Sequence, residues 1–556
     1  MSNYLIMDSR VMPLLRFNRP VLSRLAYLML FSLYISVFLN IAYYRQVLVA
    51  MPLNNLHTVL VFISMPIVAF SVINIISTLA SFLWLDRVVI ALFILLSACA
   101  QYFIMNYGIV LDRSMIVNMM DTTASETFAL LTPKMAITLL LTAVLMMVMA
   151  FWVRIQNTRP FWKSILYRVM SVVTSVCLIL LVALFFYKDY ASVFRNNKEL
   201  VKALSPSNSI VASLSYYSHQ KLANAPLIKI GEDARLNPLM AGGKQNLTIV
   251  VLGETTRADN FSLGGYSRET TPLLAKEDVA YFPHTASCGT ATAVSVPCMF
   301  SNMPRAHYDS DLAAHQEGML DIIQRAGTQV LWRDNDGGCK GACDRVPHED
   351  VTSLNLADMC INGECYDEVL FHDLEAKIES LKGNGVIVLH TIGSHGPTYW
   401  HRYPPQFRKF TPTCDTSQIQ ECSQQQLVNT YDNTILYTDD IVDKAITLLK
   451  SHQDRYTTSL VYLSDHGESL GENGAYLHGL PYSIAPTTQK HVPMLIWLSP
   501  DYQQRYGVNG QCLKQVAKNG EFSQDNLFST MLGLTGTETK EYIAGDDILT
   551  ACRGKA

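Results

Sequence analysis

The sequence predicts a two-part protein: five transmembrane helices, followed by an α/β domain with a mostly parallel central sheet. Three observations predict this. The chain has 556 residues, which exceeds the usual size of a single domain. Charged residues make up only 16% of the chain, and the apolar residues are concentrated in its first third. The remaining part alternates short apolar runs with helical patterns, which is typical of a sheet covered on both faces.

Five apolar segments are each long enough to cross about 30 Å of hydrocarbon as a helix. They are Val21–Tyr44, Leu56–Leu85, Val88–Gly108, Met135–Val153 and Val169–Tyr187. The second is long enough to tilt or to end in an interfacial turn. The first is too long for a cleavable signal peptide, and more spans follow it. Buried helices of a large soluble core are the alternative, but so many runs with so few charges argue against them.

Basic residues predict the orientation, because cytoplasmic loops carry an excess of Lys and Arg. They lie before the first span and between the fourth and fifth spans: Arg10, Arg16, Arg19, Arg154, Arg159, Lys163 and Arg168. Five crossings that start in the cytoplasm end outside it. Everything after about Lys188 is therefore expected to face the periplasm or the cell exterior.

Cysteine usage agrees with an exported C-terminal part. Of twelve cysteines, only Cys99 and Cys177 lie in the predicted spans. In an oxidising compartment the other ten are expected to form disulfides between sequence neighbours. They are Cys288 and Cys298, Cys339 and Cys343, Cys360 and Cys365, Cys414 and Cys422, and Cys512 and Cys552. Zinc thiolate sites are the alternative, which the irregular spacings disfavour, and spacing alone does not fix the pairing.

The predicted organisation is a transmembrane domain over 1–187, a connector over 188–240 and an exported domain over 241–556. The connector holds two amphipathic stretches, the second with Tyr216 and Tyr217. These tyrosines suit a headgroup interface, although an ordinary packing helix fits the pattern equally well. The net charge of −4 argues against a nucleic-acid partner.

Four apolar, β-branched runs of the exported part are predicted to be parallel strands. They are NLTIVVLGE, TQVLWRDND, GVIVLHTIGSHG and TSLVYLSDHGE. A helix is predicted between the second and third runs, over the segment LADMCINGECYDEVLFHDLEAKIESL. In such sheets ligands bind beyond the carboxyl ends of the strands, so the residues that follow each run are candidates for a site.

Acidic and histidine side chains after these strands predict a metal site. Glu254 follows the first strand, and His395 follows the third. Asp465 and His466 follow the fourth, and His478 lies in the glycine-rich loop after them. Carboxylates and imidazoles are the donors that Zn²⁺ or Mn²⁺ accepts. Asp-His-Gly alone is more often a turn in which Asp caps a helix, so the prediction depends on the matching strand ends.

The segment SCGTATAVSVPC, Ser287–Cys298, supplies a candidate nucleophile. Thr290 and Thr292 lie where a helix would begin, and a helix N-terminus attracts phosphate oxygens. Metal coordination lowers the pKa of a hydroxyl enough for attack at neutral pH; without the metal residues, Thr292 would be an ordinary cap or core residue. Lys340 is the candidate cation for a phosphate, with a solvated surface lysine as the alternative. Glu472 is expected to be a solvated loop carboxylate.

With the five spans, the motifs VVLGET, SCGTATAVSVPC, DNDGGCKGAC, HTIGSHGPTY and YLSDHGESLGENGAYLHG resemble those of the membrane phosphoethanolamine transferases. These enzymes belong to the alkaline phosphatase and sulfatase-like superfamily. The likeness covers essentially the whole chain and is closest to the lipid A-modifying branch of Gram-negative bacteria.

The resemblance implies a role for each candidate residue. Thr292 is the implied nucleophile. The implied zinc ligands are Glu254, Thr292, Asp465 and His466. The residues implied to bind the phosphate, or a second zinc ion, are His395 and His478. The residues implied to contact the substrate headgroup are Thr290, Lys340 and Glu468.

The resemblance also implies the reaction and its place in the cell. Phosphatidylethanolamine is the implied donor, and a phosphate of lipid A in lipopolysaccharide is the implied acceptor. The product carries less negative charge and binds polymyxins less well. The chain is expected to be a monomer among inner-membrane lipids, with its catalytic domain in the periplasm. The alternatives are transfer to another envelope glycan such as the lipopolysaccharide core, a glycerol-phosphate transferase, an exported phosphatase, or a metal sensor without turnover.

Overall fold

The computed structural model describes residues 19–81, 85–121, 130–156, 160–196, 198–223, 225–361 and 363–554. Arg10, Arg16 and Arg159, which contribute to the predicted orientation, lie outside these residues. The chain forms two compact units. The first comprises Met1–Tyr102 and Ala136–Ser207, and the second comprises Phe103–Met135 and Asn208–Ala556.

Apolar helices make up most of the first unit. They are Arg24–Phe38, Ile41–Ala50, Leu56–Ala80, Asp86–Tyr107, Pro133–Trp152 and Phe161–Asn196. Four of the helices are long and apolar enough to cross a membrane, and the first two, bent by 47°, make a fifth if they form one span. The predicted multi-pass N-terminal region is confirmed. Its first span is broken, and the Asn40 side chain at the break donates to the carbonyl oxygens of Ile35 and Ser205 at 2.9 and 2.8 Å.

A buried ion cluster joins three helices of the first unit near their N-terminal ends. Asp86 accepts from Arg168 at 3.1 Å and lies 3.4 Å from Arg24. Beside it, the short strand Val21–Ser23 pairs in parallel with Arg154–Gln156. The starts of the first, third and last spans therefore lie together, as a chain that reverses direction at each crossing requires. Arg168, counted above as a loop charge, lies inside the last helix.

The second unit is built on a seven-stranded sheet. In chain order its strands are β1 (Gln245–Gly253), β2 (Val279–Phe282), β3 (Gln329–Asp334), β4 (His348–Asp350), β5 (Gly385–His390), β6 (Tyr456–Ser464) and β7 (Met494–Leu498). Their order across the sheet is β2-β7-β6-β1-β5-β3-β4. Strands β6, β1, β5, β3 and β4 run parallel, whereas β7 is antiparallel to both of its neighbours. The four predicted strands are adjacent, and the mostly parallel sheet is confirmed.

The other α-helices in the described part of the chain are Arg113–Asp121, Ser207–Ala223, Pro238–Ala241, Thr292–Met299, Ser310–Ala313, Met319–Arg325, Leu374–Ser380, Gln424–Ser451, Pro500–Tyr506, Gly510–Asn519 and Asp525–Thr535. Those that pack on the strands of this sheet include Pro238–Ala241, Met319–Arg325, Gln424–Ser451, Pro500–Tyr506, Gly510–Asn519 and Asp525–Thr535. Every residue of β5 and β6 is buried, as is all of β1 after its first residue. Each buried Val, Leu or Ile contributes roughly 1.5–3 kcal/mol, so these central strands form a rigid base for the residues that follow them.

The helix predicted between the second and third runs is mostly wrong. Only Leu374–Ser380 is α-helical. Before it, Cys360–Ile361 and Glu364–Cys365 pair as a short antiparallel hairpin. Gly363 has a φ of 86°, which reverses the chain and which other residues rarely adopt. The apolar spacing was helical, but this glycine and the Cys360–Cys365 disulfide prevent a continuous helix.

The segment between the third and fourth spans belongs to the second unit. Its helix Arg113–Asp121 packs against helix Thr292–Met299. Arg113 also pairs with Asp311 at 2.7 Å. The predicted domain limits included this segment in the transmembrane domain, because its length and polarity alone do not show which part it contacts.

Five disulfides lie in the second unit. They join Cys288 to Cys298, Cys339 to Cys343, Cys360 to Cys365, Cys414 to Cys422, and Cys512 to Cys552. These are the neighbour pairs expected from the sequence. Cys99 and Cys177 are free.

The remaining strands form two-residue pairs. They are Arg235–Leu236 with Thr537–Glu538, Thr285–Ala286 with Phe522–Ser523, and Ser469–Leu470 with Tyr476–Leu477. The last pair begins the return of the chain toward the end of β6, with His478 immediately after it.

Candidate active site

Strand register brings the first candidate ligands together. Gly253 at the end of β1 pairs with Ser464 at the end of β6, so Glu254 and Asp465 leave neighbouring strands side by side. The Asp465 amide donates to the Gly253 carbonyl oxygen at 2.9 Å. A Cβ on Gly253 would lie 2.9 Å from the Tyr462 ring, so the close packing of the two strands favours glycine there.

Four side chains form one buried group, which we call the Thr292 cluster: Glu254, Thr292, Asp465 and His466. The Thr292 hydroxyl donates to Glu254 Oε2 at 3.0 Å and lies 3.4 Å from His466 Nε2. His466 Nε2 lies 3.3 Å from both Glu254 Oε1 and Asp465 Oδ2. Residues from three distant parts of the sequence therefore meet at one point.

The Thr292 cluster fits a metal ion. Its interatomic separations of 3.0–3.4 Å are those of ligands held about 2 Å from one tetrahedral ion. Asp465 Oδ2 is buried and makes no hydrogen bond to any described residue. Glu254 and Asp465 have no exposed surface, and burying two carboxylates is costly without a nearby cation. Oxygen and imidazole donors in this arrangement suit Zn²⁺ or Mn²⁺.

The electrostatics of the cluster favour positive charge. Burial lowers the pKa of His466, but the carboxylates of Asp465 and Glu254 outweigh burial and raise this pKa to about 10. Burial and the charge of Glu254 raise the pKa of Asp465. Burial also opposes ionisation of Glu254, yet His466 holds the pKa of Glu254 well below its usual value. A group of side chains that retains a proton so tightly also attracts a cation.

Thr292 is the first residue of helix Thr292–Met299. The preceding Ala291 provides no side-chain cap, which leaves the positive end of the helix available to an anion. The Cys288–Cys298 disulfide ties the loop before Thr292 to the last turn of the helix. The hydroxyl is therefore held at a place that suits a phosphate group.

His395 and His478 lie against the same centre. Their rings are 5.4 Å apart, and the rings of His478 and His466 are 4.4 Å apart. Ligand atoms of Glu254, His395 and His478 all lie within 4.8 Å of one another. Glu468 is fully buried, and its Oε2 lies 3.2 Å from His478 Nδ1. Glu468 is thus placed to orient this imidazole.

Thr290 and Lys340 lie in loops at the edge of the site. The Thr290 hydroxyl donates to the Leu480 carbonyl oxygen at 2.5 Å, and the Thr290 carbonyl accepts from the Gly479 amide at 2.6 Å. Thr290 thereby holds the loop that carries His478. The Lys340 amine donates to the Gly337 carbonyl oxygen at 3.3 Å, in the loop that begins beside Glu254.

Backbone strain lies next to three site residues. Thr255, Lys340 and Leu477 have φ values of 58°, 51° and 62°, in the left-handed region. Such conformations cost of order 1–3 kcal/mol and persist when the surroundings enforce them. The Thr255 amide donates to Asp465 Oδ1 at 3.1 Å, and its carbonyl accepts from the Tyr431 hydroxyl at 2.7 Å. These bonds keep Glu254, the preceding residue, in position.

Sequence reasoning missed a buried amide that connects two parts of the site. Gln524 Nε2 donates to the carbonyl oxygens of Ser464 and Asp465, each at 2.7 Å, and Gln524 Oε1 accepts from the Cys288 amide at 2.6 Å. It links the loop of Asp465 and His466 to the loop before Thr292. A single glutamine 60 residues from Ser464 and 236 residues from Cys288 leaves no local pattern that would reveal this role.

The expectation for Glu472 was wrong. Glu472 Oε1 accepts from Arg257 at 2.7 Å, and Oε2 accepts from the Leu470 amide at 2.6 Å. Arg257 is itself buried, three residues after Glu254. The ion pair fixes the glycine-rich loop against the end of β1. Partial burial by that loop, which sequence does not show, makes this carboxylate structural.

Two family models match the chain. One is described as Sulfatase and matches residues 246–537. The other is described as Phosphoethanolamine transferase EptA/EptB and matches residues 69–221. The first covers the central sheet and the Thr292 cluster, and the second covers much of the helical N-terminal region.

Relatives match over nearly the whole length. EptA of Salmonella typhimurium is 71% identical over 537 residues, 96% of this chain and 98% of the relative. The phosphatidylethanolamine transferase Mcr-1 of Escherichia coli is 36% identical over 484 residues, 84% of this chain and 88% of the relative. The solved structure of the integral membrane lipooligosaccharide phosphoethanolamine transferase A of Neisseria meningitidis matches with a TM-score of 0.91 at 42% identity, covering 96% of this chain and 100% of that one. With this similarity in sequence and in fold, the chain belongs to the EptA family of phosphoethanolamine transferases, in the alkaline phosphatase and sulfatase-like superfamily.

Proposed function

We propose that the protein transfers phosphoethanolamine from phosphatidylethanolamine to a phosphate of lipid A, with Thr292 carrying the group in between. The observation that carries the proposal is the Thr292 hydroxyl, 3.0 Å from Glu254 Oε2 and at the start of a helix. A metal site with a purely structural role would not need a threonine hydroxyl at the N-terminus of a helix.

In this proposal Glu254, Thr292, Asp465 and His466 hold one Zn²⁺ ion. When bound there, zinc lowers the pKa of the threonine hydroxyl and offsets charge on the phosphoryl oxygens. His395 and His478 bind the donor phosphate, or a second ion together with Glu254. The carboxylate and imidazole donors described above support this assignment.

The first step forms the covalent intermediate. Glu254 accepts the hydroxyl proton of Thr292, whose oxygen attacks the phosphorus of the donor. The bond from phosphorus to the diacylglycerol oxygen breaks, and His395 or His478 supplies the proton that this oxygen takes up. In this proposal Lys340 and the backbone amides at the helix N-terminus stabilise the negative charge on the phosphoryl oxygens. Phosphoethanolamine is then esterified to Thr292.

The second step releases the threonine. The acceptor phosphate gives a proton to the histidine that lost one in the first step, and its oxygen attacks the same phosphorus. The bond to Thr292 Oγ1 breaks, and the hydroxyl regains its proton from Glu254. Thr290 and Glu468 support the step by holding the His478 loop and the His478 ring. In this proposal they contact the headgroup together with Lys340.

The names of the relatives support the proposed substrates. Mcr-1 is named a phosphatidylethanolamine transferase, and the Neisseria protein is named a lipooligosaccharide phosphoethanolamine transferase. Both substrates are lipids, which agrees with the apolar helices. We place the protein in the Gram-negative inner membrane as a monomer, with the second unit in the periplasm, where disulfides form. The added ammonium group lowers the negative charge of the surface and with it the binding of polymyxins.

Reconstituted full-length protein tests the proposal. Supplied with ethanolamine-labelled phosphatidylethanolamine and then lipid A, it should yield labelled lipid A in mass spectra. Before the acceptor is added, Thr292 should carry an adduct of about 123 Da, the mass of an esterified phosphoethanolamine. Thr292→Ala should lose adduct and product, whereas Thr290→Ser should keep both.

Three results would contradict the proposal. Full activity of Thr292→Ala would move the nucleophile elsewhere. Release of free phosphoethanolamine without transfer would favour a phosphatase. Label on a core sugar instead of lipid A would change the acceptor.

A further inference from the structure

A second group of polar side chains lies beside Glu254, on the side opposite Asp465 and His466. In the sheet, β1 lies between β6, which leads to Asp465 and His466, and β5, which ends at His390. Beyond β5 lies β3, whose last residue, Asp334, pairs in register with His390. The loop after β3 carries Asp336. Ligand atoms of Glu254, Asp336 and His390 all lie within 4.8 Å of one another. The roles assigned above to the Thr292 cluster, His395 and His478 do not use Asp336 or His390.

One nitrogen of His390 makes no hydrogen bond within the described part of the chain. The side chain has no exposed surface, and its Nδ1 lies 2.9 Å from Asp334 Oδ2. Because a carboxylate only accepts, this contact requires a proton on Nδ1, and in the neutral tautomer that meets this requirement Nε2 carries a lone pair. Nε2 is buried and makes no hydrogen bond to any described residue. A buried lone pair that points toward carboxylates is unfavourable unless a cation lies between them.

The spacing fits such a cation. His390 Nε2 lies 3.6 Å from Asp336 Oδ2, too far for a hydrogen bond. It is close to the separation of two ligands that each lie about 2.1 Å from one ion. Asp334 also accepts from the Trp332 indole at 2.9 Å and from the Gly338 amide at 2.8 Å. The orientation of the imidazole is therefore fixed in advance.

We propose that Glu254, Asp336 and His390 bind a further divalent cation, Zn²⁺ or Mn²⁺, separate from the ion of the Thr292 cluster. Two carboxylates and one imidazole suit these ions, and a carboxylate can bridge two metals. Asp334 is a positioning residue that sets the tautomer of His390. The proposal is linked to the first centre only through Glu254 and does not require the transfer reaction.

Metal content of the full-length protein in detergent tests the proposal. Each variant is stripped with a chelator, dialysed against Zn²⁺ and measured for zinc per chain. Asp336→Asn should hold about one equivalent less than the wild type, because it removes one of three ligands. Asp465→Asn should lose a different equivalent, and the two losses should add. Asp358→Asn, an exposed acid in the same region, is the matched control and should lose none.

Cobalt substitution gives a second readout. The visible absorption of the Co²⁺ protein should lose one component in Asp336→Asn and the same component in His390→Gln. Thermal unfolding shows whether each variant is folded before it is compared. A folded Asp336→Asn that binds as much zinc as Asp358→Asn, with an unchanged cobalt spectrum, overturns the proposal. Failure of the transfer proposal would appear instead as a missing Thr292 adduct with metal content intact.

Discussion

Glu254 is the residue on which the site depends. It is fully buried at the end of β1, accepts from the Thr292 hydroxyl, and belongs to three different groups of metal-type side chains. Its two oxygens face different partners, since Oε1 also accepts from the Thr255 hydroxyl at 2.5 Å. The carboxylate is thus held from several sides. Substitutions around it are expected to change function more than the overall fold.

Metal affinity should rise with pH. His466 and Asp465 both have raised pKa values in the protein, that of His466 to about 10, so binding a metal ion must displace protons. Below that pH, each displaced proton makes the apparent affinity rise about tenfold per pH unit. Competition with a zinc indicator between pH 6 and pH 8 measures the slope. An affinity that stays flat over this range would show that His466 does not surrender a proton to the metal.

Glu468→Gln should lower kcat without removing metal. The carboxylate lies 3.2 Å from His478 Nδ1, and loss of its charge weakens the orientation of that ring. Removing such a supporting group typically costs about 10–100-fold. Steady-state kinetics should place the loss in kcat. A rise in KM for the donor with kcat unchanged would instead assign Glu468 to headgroup binding.

At the scale of elements, the site lies at the carboxyl ends of parallel strands, and loops supply its remaining residues. The meeting of Glu254, Asp465 and His466 could be predicted because strands in register place their last residues together. The loop partners could not be predicted. The contacts of Gln524, of Glu472 and of the His390 group depend on how distant loops fold against these ends, and no short motif encodes that. The prediction of a helix around Gly363 was wrong for the same reason. The spacing of apolar residues was helical, but the chain forms a hairpin closed by the Cys360–Cys365 disulfide.

Gly467→Ala should disrupt the site. A Cβ on Gly467 would lie 2.0 Å from the Thr488 carbonyl oxygen, so the strand end or its neighbouring loop must shift. The atom that the Cβ would meet belongs to the backbone and cannot rotate away, and overpacking of this kind costs roughly 1–3 kcal/mol or more. Zinc content and unfolding temperature should both fall.

Gly383→Ala is the control for this substitution, because its added Cβ meets nothing within 4 Å. It should behave as the wild type in zinc content and in unfolding temperature. Normal zinc content in Gly467→Ala would show that the loop tolerates the shift.

For the whole molecule, the sequence predicted the two-part design more reliably than its boundaries. Long apolar helices and a buried parallel sheet follow from composition and periodicity, which are local properties. The assignment of helix Arg113–Asp121 to the second unit follows from contacts between distant residues, such as Arg113 with Asp311. That information is absent from the segment itself. Connections between spans therefore need the folded chain to be interpreted.

The second unit should be reached only from outside the cytoplasm. Five crossings that start inside the cell predict this, as does the shared location of Arg24, Asp86 and Arg168. A reporter that is active only after export, fused to the C-terminus, should be active, and a fluorescent protein that folds only in the cytoplasm should stay dark. The opposite pattern would reverse the topology.

The disulfides set an order of assembly. Two disulfides lie beside a carboxylate. One group is Cys288, Cys298 and Asp525, and the other is Cys339, Cys343 and Asp344. If the sulfurs are reduced, the donor atoms of each group are close enough to bind a metal ion. Thiolates are softer ligands than carboxylates and compete well for zinc. A nascent chain that met zinc before it was oxidised would trap the ion away from Glu254. We therefore expect thiol oxidation to precede metal loading, and a cell that exports this chain without an active oxidant should accumulate a metal-rich but inactive protein.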